Sequence, residues 1–233
     1  MSTGARLIAA ARVAARGSLD EAAGKQLLAA FGIAVPRSAV ARDAADAPRA
    51  LASITLPVVV KVMSADILHK SDAGGVRVNL RTEAEVTQAV AEMAALPGIK
   101  AARVDGYLLE EMAPAGQEMV IGAVNDPQFG PLIMIGLGGI FVEVLADVSF
   151  RICPITRLDA EEMIAELKGA AILKGARGKP AVSQPAIVDA LLKIGGEHGL
   201  LMQHAADISE ADINPLIVSS AGAVAADARF ILA

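Results

Sequence analysis

The sequence contains no tryptophan, one tyrosine and five phenylalanines, so aromatics make up 3% of its 233 residues. With no aromatic platform, and a formal net charge of −5 in place of a basic excess, it lacks the means to make nucleic acid its main partner. A single cysteine, Cys153, excludes an intramolecular disulfide framework and fits a reducing compartment. The apolar neighbours of Cys153 mark it as a small packing residue rather than a nucleophile. No apolar run reaches the roughly 20 residues a bilayer-spanning helix needs; the longest, near Pro131 to Val142, is interrupted by glycines. The expectation is a soluble, cytoplasmic protein that binds neither membrane nor nucleic acid.

The opening MSTGARLIAAARVAARGS has Arg6, Arg12 and Arg16 among its alanines, which denies it the uninterrupted core of a secretory signal. It reads as an exposed helical lead-in. What the chain has in quantity is Ala, Val, Leu and Ile, which supply most of a 54% hydrophobic fraction. At this length it can bury a substantial core, as one domain or as two lobes.

Ser18 with Glu21 has capping-box spacing and predicts a helix through Leu27, Leu28 and Phe31 that stops at Gly32. Pro36 to Ala41 is extended, Asp43 to Leu51 helical, and Leu56 to Val62 a strand with Lys61 embedded in valines. Thr82 with Glu85 repeats the box ahead of an amphipathic helix ending near Gly98. Strands follow at Gly106 to Glu110, Glu118 to Val124, Leu132 to Gly136 and Ile140 to Leu145. Asp159 opens a short helix through Met163 and Leu167, and Ala170 to Val182 lacks periodicity and reads as a mobile loop. Ser183 caps a helix with Pro185 in its first turn, and the chain closes on strands Ile213 to Val218 and Val224 to Leu232. Several adjacent strands favour antiparallel pairing, so the predicted class is α+β.

Four groups of residues carry potential chemistry. Lys61 stands on a rigid strand, where an unpaired buried charge is costly; it either snorkels out or meets an anion. His69, in HKSDAGG, can take a phosphoryl group on a ring nitrogen as a covalent carrier. Around it Lys70, Ser71 and the amides of Gly74 and Gly75 are candidates to hold phosphate oxygens, with a solvated loop histidine as the plain alternative. In the closing hairpin a turn at Ser219 to Gly222 puts Val218 opposite Ala223, and counting outward puts Asn214 opposite Asp227. An amide oxygen and a carboxylate so placed suit Mg²⁺, which keeps waters and borrows substrate phosphates; an ordinary surface pair is the alternative. Finally, Tyr107 to Met112, including Glu110, form a strand entering a connection able to present backbone groups to a flat heterocycle, and Glu118 follows as a carboxylate able to accept from ribose hydroxyls; solvated acidic residues are the plain alternative, the more so for at least one of Glu110 and Glu111.

Taken together, PVVVKVMSADILHKSDAGGV, GYLLEEMAPAGQEMVIGAVNDPQFGP, IGLGGIFVEVLADVSFRICPI and ADINPLIV with Asp227 downstream resemble the ATP-grasp subunit of ADP-forming acyl-CoA synthetases, the acetate–CoA ligase β subunit, related to succinyl-CoA synthetase. The resemblance implies an ATP-grasp fold, two α+β lobes with the nucleotide between them. It implies lobes at 18–112 and 113–233 after a lead-in at 1–17. It further implies that Lys61 contacts nucleotide phosphates, that Glu110 to Ala113 read the base, that Glu118 sits at the ribose and that Asn214 and Asp227 hold Mg²⁺. His69 is then a second phosphoryl carrier between a partner phosphohistidine and ADP/ATP. The family's CoA-binding and acyl-activating parts have no counterpart here, so a CoA-binding α-type subunit or fused domain is expected, giving a hetero-oligomer. The alternatives are a non-catalytic ATP-binding module with a regulatory or assembly role, and an ATP-grasp ligase with a different acceptor.

Overall fold

The computed structural model describes residues 1–64, 66–67, 70–139, 146–175 and 180–233. The elements run α1 (Thr3–Val13), β1 (Ser18–Leu19), α2 (Glu21–Ala30), β2 (Ser38–Ala41), α3 (Ala47–Leu51), β3 (Val58–Met63), β4 (Val76–Leu80) and α4 (Glu83–Ala95). They continue α5 (Pro97–Ala101), β5 (Gly106–Glu111), β6 (Gln117–Asp126), β7 (Gly130–Leu137), β8 (Val148–Ile152), α6 (Arg157–Glu166) and a 3-10 turn at Ala170–Lys174. Last come α7 (Gln184–Gly195), α8 (Leu200–Gln203), β9 (Ile208–Ser219), β10 (Gly222–Ala225) and β11 (Arg229–Leu232). The chain divides into two compact units, Pro36–Ala113 and Met1–Val35 with Pro114–Ala233.

The smaller unit is an antiparallel sheet ordered β2-β5-β3-β4. Val58, Val60 and Val62 alternate along β3 onto one face, where with Tyr107 and Leu109 they pack against Val86, Val90 and Met93 of α4. The capping box expected of Thr82 and Glu85 starts that helix: Thr82 accepts from the Glu85 N–H, and the Glu85 carboxylate accepts from the Thr82 N–H. Strand β4 was not foreseen, because VRVNL is short and carries Arg and Asn in place of a clear apolar alternation.

The larger unit is an antiparallel sheet ordered β1-β11-β9-β6-β7-β8, with β10 also paired to β9. One face carries Ile121, Ile133, Ile135, Ile213 and Phe230, buried in one cluster with Leu27 and Leu28 of α2 and Ile187, Leu191 and Ile194 of α7. Truncating any of these to Ala costs about 2–5 kcal/mol. Helix α7 starts as expected, with Ser183 capping Ala186 N and proline in the first turn.

Three expectations need correction. Ser18 does not cap α2: it lies in β1, paired with Ile231, and Asp20 accepts from Ala23 N as the actual cap. A carboxylate nearer the helix outcompetes the hydroxyl. The lead-in is not simply exposed, since Ile8 is buried in the larger core and Arg12 pairs with Asp207 at 2.9 Å. Residues 18–35 also belong to the larger unit rather than to the lobe expected at 18–112, because β1 pairs with β11 and Leu27 and Leu28 enter that core. The expected strand Ile140–Leu145 and residues 176–179 of the expected loop lie outside the described residues.

Candidate functional site

In the smaller unit Lys61 faces away from the valine core, on the same face as Glu110 of the neighbouring strand. Its Nζ lies 2.9 Å from Glu110 Oε2, with side chains 11% and 1% exposed. The strand pair thus compensates a charge that would be costly to bury alone, and fixes the ammonium in place. Glu110, expected at the base, has its carboxylate committed to this lysine. The next residues close the unit: Glu111 N–H donates to Arg37 O and Met112 N–H to Pro57 O, each near 3 Å, with Ala113 the last residue of the unit. The Met112 amide is therefore engaged within the protein.

His69 itself lies outside the described residues, while the turn that follows it is described. Gly75 N–H donates to Lys70 O at 2.7 Å and Gly74 N–H to Ser71 O at 3.0 Å, so both glycine amides serve the turn. Gly75 O accepts from Val62 N–H at 2.8 Å, and a Cβ on Gly75 would stand 2.4 Å from Val62 Cγ1; only glycine lets the turn lie this close to β3. Arg77 Nη1 donates to Gly74 O at 2.8 Å. The turn is thereby anchored on the strand that carries Lys61.

In the larger unit the hairpin register is the one obtained by counting. Ser219 pairs with Gly222, Val218 with Ala223 and Leu216 with Ala225, then Ala226 N–H donates to Pro215 O at 2.9 Å. Beyond the gap Asp212 pairs with Arg229 in the same register. Asn214 and Asp227 occupy the matching positions between them. Residues alternate along β9 as far as Asn214, so that Ala211 and Ile213 are buried while Glu210, Asp212 and Asn214 are exposed on the opposite face; the alternation shifts at Pro215, and Leu216 is again buried. Asp212 is the residue that sequence reasoning missed. Its carboxyl is held above the ordinary carboxylate range, first by partial desolvation and then by the nearby Asp227, with Arg229 opposing. The period-two pattern D-I-N in ADINPL was the available signal, since it puts Asp212 on the face of Asn214.

Among the described residues no group of three or more His, Cys, Asp and Glu side chains is disposed to hold a metal. An amide oxygen and a carboxylate nonetheless fit Mg²⁺, a hard cation that takes oxygen ligands and fills its shell with water and phosphate. Glu118 is exposed on β6, and its backbone is tightly packed: Gly138 N–H donates to Glu118 O at 2.7 Å, and a Cβ on Gly138 would fall 2.8 Å from Glu118 Cβ. Cys153 is buried with its thiol pushed up to about 12 by desolvation, which leaves it chemically quiet, as expected.

The family model of the ATP-grasp domain matches residues 10–232. The chain belongs to the ATP-grasp family. Within it, the chain is 43% identical over 218 residues to the ADP-forming acetate–CoA ligase I β subunit of Pyrococcus furiosus, covering 92% of this chain and 91% of that subunit. It is 42% identical to the ADP-forming acetate–CoA ligase I of Archaeoglobus fulgidus, covering 93% of this chain but 31% of that longer protein. The ATP-grasp fold is shared with the dinucleotide-forming acetyl-CoA synthetase 1 of Candidatus Korarchaeum cryptofilum, solved with coenzyme A, Ca-AMPCP and HgCl⁺, at a TM-score of 0.91 and 41% identity over 98% of this chain and 99% of that one. Another structure of that synthetase contains coenzyme A and Mg-AMPPCP, with its phosphohistidine segment pointing towards the nucleotide site. No helix of the described residues is long and apolar enough to cross a membrane.

Proposed function

We propose that this chain is the nucleotide-binding component of an ADP-forming acyl-CoA synthetase of the acetate–CoA ligase type, and that His69 passes a phosphoryl group between a partner phosphohistidine and ADP. The observation that carries the reading is the match to the P. furiosus β subunit along nearly the whole length of both chains. The CoA-binding function belongs to an α-type partner, or to the remainder of a fused protein such as the A. fulgidus relative.

Phosphoryl transfer asks mainly for positioning and for neutralised charge. Lys61, steadied by Glu110 at 2.9 Å, supplies a fixed cation for the nucleotide phosphates. Lys70 and Ser71 contribute side chains beside His69, while Gly74 and Gly75 shape the turn that anchors this stretch to β3. The segment of Glu110, Met112 and Ala113 frames the base and Glu118 accepts from the ribose. Asn214 and Asp227 hold Mg²⁺, which when bound shields the phosphate oxygens. The N–P bond of phospho-His69 breaks as an ADP β-phosphate oxygen bonds to phosphorus, and the ring nitrogen keeps the electron pair. Acyl selectivity falls to the partner.

Incubating the purified chain with Mg²⁺ and γ-labelled ATP tests the reading. Acid-labile, alkali-stable label on His69 is expected, absent in His69→Ala. Binding of ATP with no label would point instead to a non-catalytic module.

A further inference from the structure

Helix α2 carries a buried ion pair that the proposed chemistry leaves unused. Lys25 Nζ lies 2.9 Å from Glu21 Oε1, one turn apart on the helix, with side chains 3% and 4% exposed. Burying two charges is costly, and an apolar pair of similar volume often stabilises a fold as well or better. Helical spacing puts Glu21, Gly24, Lys25 and Leu28 on one face, and all four are buried.

That face lies against the stretch that carries Asp227. Strand β10 ends at Ala225 and β11 begins at Arg229, so Asp227 stands in a break between two strands. The chain on either side of α2 is tied to the two ends of this break. Before the helix, Leu19 pairs with Phe230. After it, Ala34 O accepts from Ala225 N–H at 2.9 Å. The 10 residues of α2 rise about 15 Å, and the stretch from Ala225 to Phe230 spans about 16 Å when extended. The helix therefore runs antiparallel along the break, with its first turn near Phe230. Gly24 marks the contact: a Cβ there would stand 3.1 Å from Ala228 O and 3.2 Å from Phe230 Cδ2. Lys25 is the next residue along the helix, in the direction in which the break runs back from Ala228 to Asp227 and Ala226.

We propose that Lys25, its ammonium oriented by Glu21, is a positioning residue for Asp227. This rests on the reading of Asp227 as a Mg²⁺ ligand given above. Residues 226–228 lie outside the strand ladders, where backbone oxygens need other donors. A buried ammonium has three N–H groups; Glu21 Oε1 accepts one, and the break is where the others are directed. Asp227 Oδ1 accepts from Ala228 N–H at 2.7 Å, so the carboxylate turns with the backbone of the break. Fixing the break then fixes the ligand.

The test compares the full chain with Lys25→Met, Glu21→Leu/Lys25→Met, Gly24→Ala and Asp227→Asn. Mn²⁺ is the probe, because it takes oxygen ligands as Mg²⁺ does and is counted by electron paramagnetic resonance; AMPPCP is added so that no phosphoryl group moves. Lys25→Met leaves Glu21 buried and alone, and is expected to lower the urea midpoint. The double variant is expected to regain that midpoint, yet to hold Mn²⁺ at least about tenfold more weakly than the wild type, as when other groups that orient a metal ligand are lost. Its binding of AMPPCP without metal stays within about twofold, because the pair is remote from the nucleotide contacts. Its amides at Ala226 and Ala228 exchange with solvent faster than in the wild type, ahead of the rest of the larger sheet. A double variant that regains wild-type Mn²⁺ affinity along with its stability overturns the inference and leaves the pair a part of the fold alone. If the double variant does not fold, Gly24→Ala decides: it keeps both charges while pressing α2 away from Ala228 O, so weaker Mn²⁺ binding supports the inference and unchanged binding overturns it. If Asp227→Asn holds Mn²⁺ as tightly as the wild type, the metal reading fails, and exchange at Ala226 and Ala228 then decides the positioning, faster exchange supporting it and unchanged exchange overturning it.

Discussion

The two sheets treat charge in opposite ways. In the smaller one a lysine and a glutamate are drawn together on adjacent strands and buried, Lys61 at 9% and Glu110 at 0% exposure. In the larger one Asp212 and Asn214 stand exposed on the open face. Under the proposed function, the difference separates two tasks in one reaction. A buried pair gives a cation whose place does not depend on the substrate, whereas exposed oxygens can be completed only by what binds to them. Fixed positive charge thus comes from the smaller unit, and the variable oxygen site from the larger.

Breaking the first half of that contrast carries the largest effect. Lys61→Met removes one member of a buried pair and is expected to destabilise the protein by about 3–5 kcal/mol in urea unfolding, and to abolish labelling by ATP. Adding Glu110→Leu should restore much of the stability but none of the labelling, which separates the structural cost from the chemical one.

Breaking the second half should leave the fold intact. Asp227→Asn and Asn214→Ala are expected to change stability by less than about 1 kcal/mol, while the Mg²⁺ concentration for half-maximal labelling rises at least about tenfold. A loss of stability comparable to Lys61→Met would mean that the open face, too, is structural.

A smaller effect sharpens the role of the loop beside Glu118. In Gly138→Ala the new Cβ meets Glu118 backbone atoms at 2.9 Å, so about 1–3 kcal/mol of stability is lost, with a higher KM for nucleotide as Glu118 shifts.

The smallest effect concerns a surface ion pair that serves neither task. Arg151 first, and then Ser149, hold the Glu166 carboxyl down to about 2 by hydrogen bonding. A folded-state pKa below the unfolded one gives stability that is full above about 4.5 and is lost as the pH falls toward 2. Arg151→Met should therefore lower the melting temperature slightly at neutral pH and not at all near pH 2, where Glu166 is protonated and the pair already lost; the neutral-pH effect is small because the pair is solvent-exposed.

What the sequence made legible was local or countable. Thr82 with Glu85 forms its box because both partners lie within one turn. The Asn214–Asp227 register followed from a tight hairpin, where pairing propagates from the turn. The fate of Lys61 was not legible, since its partner lies on β5 and the contact depends on a long-range register. Ser18 misled because Asp20 is a competing cap two residues on. Strand β8 escaped notice for an instructive reason. Its outward residues, Phe150 and Ile152, are apolar while the inward Ser149 is polar, so its alternation is inverted and reads as no strand at all.

The most direct measurement of the central claim is the site and chemical character of phosphate acquired from γ-labelled ATP and Mg²⁺. The account predicts one acid-labile phosphate per chain on His69, discharged to ATP on adding ADP and lost in His69→Ala and Lys61→Met. Tight nucleotide binding with no phosphate on His69, or label that survives in His69→Ala, would contradict it.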